Sequence, residues 1–125
     1  MIVPGLPSDL FHTDCPARVV IDHVAGRWTP LILSALQPKA LRFFEVRDKI
    51  GGISEEVLSR KLRTLVRDGL VERTVEPATP PRVSYALTPL GHGISISLGH
   101  SFSWIAANGG AVLAARERHD HLNGA

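Results

Sequence analysis

The chain reads as mainly α with a small β-hairpin (α+β), a winged helix-turn-helix set between N- and C-terminal dimerisation helices. Three stretches predict it. Residues 54–69 form a basic amphipathic helix with recognisable ends, residues 70–88 turn β-branched around a proline-rich loop, and residues 41–52 make a shorter helix ending on Gly51-Gly52. Two helices joined by a glycine turn and followed by a hairpin make up that motif.

Taken in order, Ala17 to Ala25 reads as a first helix broken by Gly26. A second runs from Trp28 to Leu36, with Thr29 as its cap and Pro30 in the first turn, where a missing amide costs little. Trp28, Leu31, Ile32 and Leu36 are expected in the core. Residues Gln37 to Ala40 connect to a helix over Leu41 to Ile50, with Phe43 or Phe44, Val46 and Ile50 facing inward.

In the following helix Ser54 caps the first free amides, and Glu55 and Glu56 complement the positive end of the dipole. Gly69 supplies the left-handed residue that stops it. Stepping round at about 100° per residue puts Val57, Leu58, Leu62, Leu65 and Val66 on one arc and Ser59, Arg60, Arg63 and Arg67 on the opposite one. Strands are expected over Leu70 to Glu76 and Val83 to Thr88, around a wing loop stiffened by Pro77, Pro80 and Pro81. Thr88-Pro89 then repeats the cap-and-proline signature and opens a last helix. There Leu90, Ile94, Leu98 and Ile105 recur at helical spacing, and Phe102 and Trp104 widen the stripe. Those residues exceed what so small a domain can cover, which assigns Leu90, Ile94, Leu98, Phe102 and Ile105 to the interface of a twofold homodimer. The expected organisation is a flexible arm over 1–14, the DNA-binding domain with its flanking helices over 15–106, and a helix end and tail over 107–125.

A length of 125 residues makes one small domain. Formal charge is only +2, and from Arg42 to Arg73 eight Lys or Arg stand against six Asp or Glu. Any affinity for a polyanion must therefore come from arrangement rather than bulk charge. No apolar run is long enough to span a bilayer, and Met1 to Pro7 lack the regions of a secretory signal, so a cytoplasmic protein with no membrane partner is expected. The single cysteine, Cys15, excludes an internal disulfide and fits a reducing compartment. No phosphate-binding glycine loop, Ser-x-x-Lys or nucleophile with a base at recognisable spacing is present, so no enzyme is expected. His12 near Cys15, and His119 with His121, fall short of a ligand set, so no metal or other cofactor is expected either. The tail histidines are expected in a disordered segment, and His23, His92 and His100 on helix surfaces or an interface.

The partner this pattern implies is double-stranded DNA. Arg60 and Arg63 are placed to meet guanine edges or phosphates, Ser54 and Ser59 to bond phosphates, and Lys61, on the flank, to serve the backbone; Arg42 belongs to the same DNA-binding set. Arg73 and Arg82, on or beside the hairpin, reach phosphate or minor groove, although Arg73 has Glu72 and Glu76 as alternative partners. The competing reading is a winged-helix module for protein contacts or dimerisation, without specific DNA binding and with this basic face merely solvated.

Cys15-Pro16, Gly26-Arg27-Trp28 before Leu31-Ile32-Leu33, Arg42-Phe43 with Glu45, and Gly52-Ile53-Ser54 before Leu58 and Leu62 occur in a characteristic order. Asp68-Gly69-Leu70-Val71, Arg73, Pro80-Pro81-Arg82-Val83, Tyr85, Leu87-Thr88 and Leu90-Gly91 continue it. Across Cys15 to about Trp104 the chain thereby resembles the HxlR family of bacterial winged-helix transcription regulators. The resemblance implies a homodimeric, sequence-specific regulator acting on a pseudo-palindromic operator. Some such regulators sense oxidants or electrophiles through one cysteine near this position, which marks Cys15 as a candidate redox sensor; the alternative is a small side chain packed at the dimer interface. Such regulators also take small-molecule effectors between subunits, where Trp28, Phe102 and Trp104 would line the pocket if they are not core. Glu56, Val66-Arg67 and Ser84 depart from the family pattern, so the operator preference is expected to be the chain's own.

Overall fold

A computed structural model describes Phe11 and residues 15–124, so the arm at 1–14 and its His12 lie, Phe11 aside, outside the described residues. Eight elements follow in order: α1 (Ala17–Val24), α2 (Thr29–Leu36), β1 (Leu41–Arg42), α3 (Phe43–Ile50), α4 (Glu55–Arg67), β2 (Val71–Glu76), β3 (Arg82–Leu87) and α5 (Pro89–Asn123). The chain divides into two compact units, one ending at Ser95 and the other beginning at Ile96, within α5. No helix among the described residues is long and apolar enough to cross a membrane.

The core of the first unit is aliphatic. Ile32, Leu33 and Leu36 of α2, Val46 of α3, and Leu58, Leu62 and Leu65 of α4 are sealed from solvent, with Val71 and Leu87 closing the core from the sheet. Spacing of three and four residues along α4 is what brings its three leucines to one face. Ser95 is also buried, its hydroxyl 3.3 Å from Gln37 Oε1 and 3.4 Å from the Leu33 carbonyl at the end of α2.

The sheet has three antiparallel strands in the order β1-β3-β2. The hairpin pairs Val71 with Leu87 and Glu76 with Arg82, and β1 adds Leu41 opposite Tyr85 and Arg42 opposite Ser84. Leu41 and Arg42, expected in a helix, are thus a short strand, and α3 begins only at Phe43. The Arg42 backbone N–H is satisfied by Glu45 Oε1 at 2.8 Å, so a carboxylate caps the helix that the strand leads into.

Thr29 is not a side-chain cap but the buried first residue of α2, and Trp28 takes the cap position with no side-chain bond. Leu31, expected in the core, is exposed, and Trp28 is half-buried with the Arg27 guanidinium 4.5 Å above its ring. Of the phenylalanine pair, Phe43 is half-buried and Phe44 exposed, the two rings packing edge to face. The last helix runs on to Asn123, so His119 and His121 are helical, not in a disordered tail. Among the described residues no three His, Cys, Asp or Glu side chains cluster as metal ligands.

Candidate nucleic-acid interface

The turn between α3 and α4 is made by Gly51 at φ +65° and Gly52 at φ +83°, conformations that residues with a Cβ rarely adopt. It brings Arg47 of α3 to the first turn of α4. The Arg47 guanidinium donates to Asp48 Oδ1 at 3.0 and 3.1 Å and to Glu55 Oε1 at 2.9 Å, and lies 4.8 Å above the Phe44 ring. The hydrogen bond it donates to Asp48, reinforced by the one to Glu55 and by both carboxylate charges, raises its pKa above the ordinary arginine value. Arg47 is therefore committed to joining the two helices.

Helix α4 has a defined end at each side. The Ser54 hydroxyl accepts from the Val57 N–H at 3.1 Å, as the sequence predicts. At the other end the Leu70 N–H reaches the Leu65 carbonyl at 3.0 Å and the Gly69 N–H reaches Val66 at 3.1 Å, with Gly69 at φ +75°. This is a Schellman termination, and it requires the left-handed glycine. Asp68, at the negative end of the helix dipole, is met by His23 of α1, whose Nδ1 lies 2.6 Å from Asp68 Oδ2.

These local bonds consume carboxylates and leave guanidiniums. Glu45 serves the α3 cap, Asp48 and Glu55 serve Arg47, and Asp68 serves His23. By contrast Arg60, Arg63 and Arg67 on α4, and Arg73 and Arg82 on the hairpin, are all exposed, and among the described residues none makes an ion pair. A region with modest net charge thus presents five exposed guanidiniums, interspersed with the exposed carboxylates of Glu56, Glu72 and Glu76. Arg73 pairs with neither Glu72 nor Glu76, and Arg82 does not pair with Glu76 although it faces it in register.

Arg63 Nη1 donates to Ser59 Oγ at 3.1 Å, one turn earlier on the same helix. Ser59 and Lys61 are half-buried, and Arg42 is exposed on β1. At about 100° per residue Arg60 stands nearly opposite the buried leucines, with Ser59 and Arg63 toward one flank and Lys61 on the other. Ser59, Arg63, Val66 and Arg67 of α4, Arg73 of β2 and Tyr85 of β3 line an open groove of about 590 Å³. Tyr85 and the groove role of Arg67 escape a reading of single helices. The signal that locates them is the hairpin register, which sets Arg73 opposite Tyr85 on the face where Val71 and Leu87 meet the core.

Cys15 is 4% exposed, just before α1, and its carbonyl accepts from the Arg18 N–H at 3.0 Å. On α5, Leu90 and Ile105 are exposed and Ile94, Leu98 and Phe102 half-buried; Trp104, Val112 and Leu113 add further exposed apolar surface.

Comparison with known proteins agrees with this architecture. Residues 23–112 match the family model described as HxlR-like helix-turn-helix. The HTH-type transcriptional regulator YtfH of Escherichia coli (strain K12) is 44% identical over 110 residues, covering 88% of this chain and 87% of that protein. The solved structure of the transcriptional regulator ytfH from Salmonella typhimurium superposes with a TM-score of 0.81 at 44% identity, over 87% of this chain and 97% of the other. The redox regulator HypR in its reduced form gives a TM-score of 0.73 at 27% identity, over 79% of this chain and 98% of the other. The chain therefore belongs to the HxlR-like helix-turn-helix family, among whose members are HTH-type transcriptional regulators.

Proposed function

We propose that the protein is a sequence-specific transcriptional regulator that binds duplex DNA as a homodimer on a pseudo-palindromic operator. The observation that carries this reading is the set of five exposed arginines on α4 and the hairpin with which, among the described residues, no carboxylate pairs. Side chains held free of internal ion pairs cost nothing to redirect to phosphates or base edges, and DNA binding releases the counter-ions they collect.

In this reading residues 15–106 form the DNA-binding domain with its flanking helices. Two copies of α4 enter successive major grooves about 34 Å apart. Arg60 and Arg63 meet guanine edges or phosphates. Ser54 and Ser59 donate to phosphates; the Ser54 oxygen caps its helix as an acceptor, so its proton stays available. Lys61, Arg42, Arg73 and Arg82 contact the backbone or the minor groove. The stripe of Leu90, Ile94, Leu98, Phe102 and Ile105 on α5 supports a twofold dimer, because an isolated helix would leave that surface in water.

Selection of duplexes from a random library by the purified protein, at about 150 mM salt, tests the reading. A symmetric enriched motif with half-sites one helical turn apart is the expected outcome. Recovery of no motif would leave a protein-contact module as the better description.

The likeness to the redox regulator HypR supports a role for Cys15 in sensing an oxidant. With one cysteine per chain, diamide can only join Cys15 to the Cys15 of another chain or to an added thiol, with reduction of diamide to its hydrazine. Diamide is expected to change operator affinity of the wild type and to leave Cys15→Ser unaffected. An unchanged wild type removes the sensing role and leaves Cys15 as a packed side chain.

A further inference from the structure

The carboxylate of Asp68 stands where a helix least favours one. Asp68 is the C-cap of α4, at the negative end of the dipole, and its backbone is held there by an N–H donated to the Thr64 carbonyl at 2.9 Å. Its side chain leaves α4 altogether and meets α1, where Oδ2 lies 2.6 Å from Nδ1 of His23, 45 residues away in the chain. A carboxylate only accepts, so Nδ1 carries the hydrogen and donates. Both side chains are partly shielded from water, at 34% and 26% exposure. Asp22 and Arg67, the charged residues next to the two partners in the chain, are exposed, and among the described residues they form no ion pair.

The pair does something the core does not. Leu58, Leu62 and Leu65 draw α4 onto the core, but apolar burial is non-directional and does not by itself set the direction in which Arg60 points. Directional bonds stand at the two ends of the helix. Arg47 of α3 holds Glu55 in its first turn, and His23 of α1 holds Asp68 just past its last. Helix α1 has no buried residue with which to grip its neighbours. The other polar side-chain bond recorded for it, from Arg18 to the Phe11 carbonyl, reaches no helix.

We propose that His23 is a positioning residue for DNA recognition: its bond to Asp68 pins the C-terminal end of α4 to α1 and so sets the angle at which Arg60 and Arg63 meet the bases. The inference rests on the reading of α4 as the helix that enters the major groove. Groups that read base edges must be held to within about 0.5 Å by the bonds behind them, whereas phosphate contacts carry no sequence information. Loss of the pin therefore falls on the operator more than on an unrelated duplex. His23 acts through Asp68 and needs no contact with DNA of its own.

The experiment measures the affinity of the wild type, His23→Ala, His23→Asn, Asp68→Ala and the His23→Ala/Asp68→Ala double variant for the selected operator and for a scrambled duplex. Thermal unfolding of each is recorded alongside. His23→Ala is expected to weaken operator binding about fivefold and to leave the scrambled duplex within about twofold of the wild type. An asparagine amide can donate in place of Nδ1–H, so His23→Asn should recover most of the loss. Asp68→Ala separates the pin from plain charge. Removing a carboxylate beside Arg67 would tighten both duplexes if charge alone decided, whereas loss of the pin weakens the operator and lowers the ratio between the two. The double variant should bind the operator no more weakly than the weaker single variant, because both substitutions remove the same bond. If His23→Ala lowers the unfolding midpoint but keeps the wild-type ratio, or if Asp68→Ala tightens both duplexes, the pair only stabilises the fold and the proposal fails while the regulator reading stands. Additive losses in the double variant overturn it likewise. A wild type that prefers no duplex over any other overturns both.

Discussion

Gly91→Ala is expected to lower the midpoint of thermal unfolding by on the order of 10 °C or to prevent stable folding. Gly91 is buried in the first turn of α5, and its N–H donates to the Thr88 hydroxyl at 3.1 Å. A Cβ at this position would overlap the Leu70 carbonyl oxygen and press on Leu87 Cδ2 at 3.2 Å. The carbonyl cannot step aside cheaply, because it accepts the Thr88 N–H at 3.1 Å. Moving Thr88 in turn strains its hydroxyl, which donates to the Gly69 carbonyl at 2.6 Å. Relief therefore disturbs the start of α5 and the end of α4 together. Gly93→Ala is the control: two residues on, the added Cβ meets nothing within 4 Å, and the better helix propensity should leave stability unchanged or raise it by up to about 1 kcal/mol. Equal unfolding temperatures for Gly91→Ala and the wild type would show that α5 does not pack against the Leu70 turn as described.

The second large effect is expected at Leu62, which is 1% exposed at the centre of the buried face of α4, between Leu58 and Leu65. Leu62→Ala should cost about 2–5 kcal/mol, since the lost transfer energy is joined by the cavity left among side chains on several elements. Leu62→Met, close to it in volume, should cost less than about 1.5 kcal/mol. Urea unfolding midpoints measure both, and Arg60→Ala, on the solvent side of the same helix, should stay within about 0.5 kcal/mol of the wild type. A cost below about 1 kcal/mol for Leu62→Ala would mean that α4 is held by its caps and charges, not by its core face.

Much of this architecture is legible in the sequence because its signals are local. Ser54 three residues before Val57, Gly69 after the last leucine of α4, and Thr88-Pro89 ahead of α5 each specify a helix end through bonds to their immediate neighbours. What escapes is what depends on distant chain. Leu41 and Arg42 are extended only because β3, more than forty residues on, supplies the pairing, and nothing in two residues announces that. Leu31 fits a helical apolar stripe but falls on the exposed side, since which face of a short apolar helix is buried is decided by its neighbours. Within the candidate interface the arginines of α4 are readable from periodicity. The groove needs two elements, and Arg67 and Tyr85 gain their joint meaning only once the hairpin folds back beside the helix.

The strand order β1-β3-β2 also bears on how the protein behaves when concentrated. A sheet edge offers unpaired backbone groups to any other extended chain, and long, flat, neutral edges seed aggregates. Here one edge, β1, is two residues long, too short to template a neighbour. The other, β2, is six residues long, and after the buried Val71 it exposes Glu72, Arg73 and Glu76, charges of both signs on a short ribbon. An incoming strand would have to accommodate those charges beside its own residues. The same hairpin that places Arg73 beside α4 is thereby a poor nucleus for sheet-to-sheet growth, so the wing can project into solvent without becoming a point of self-association.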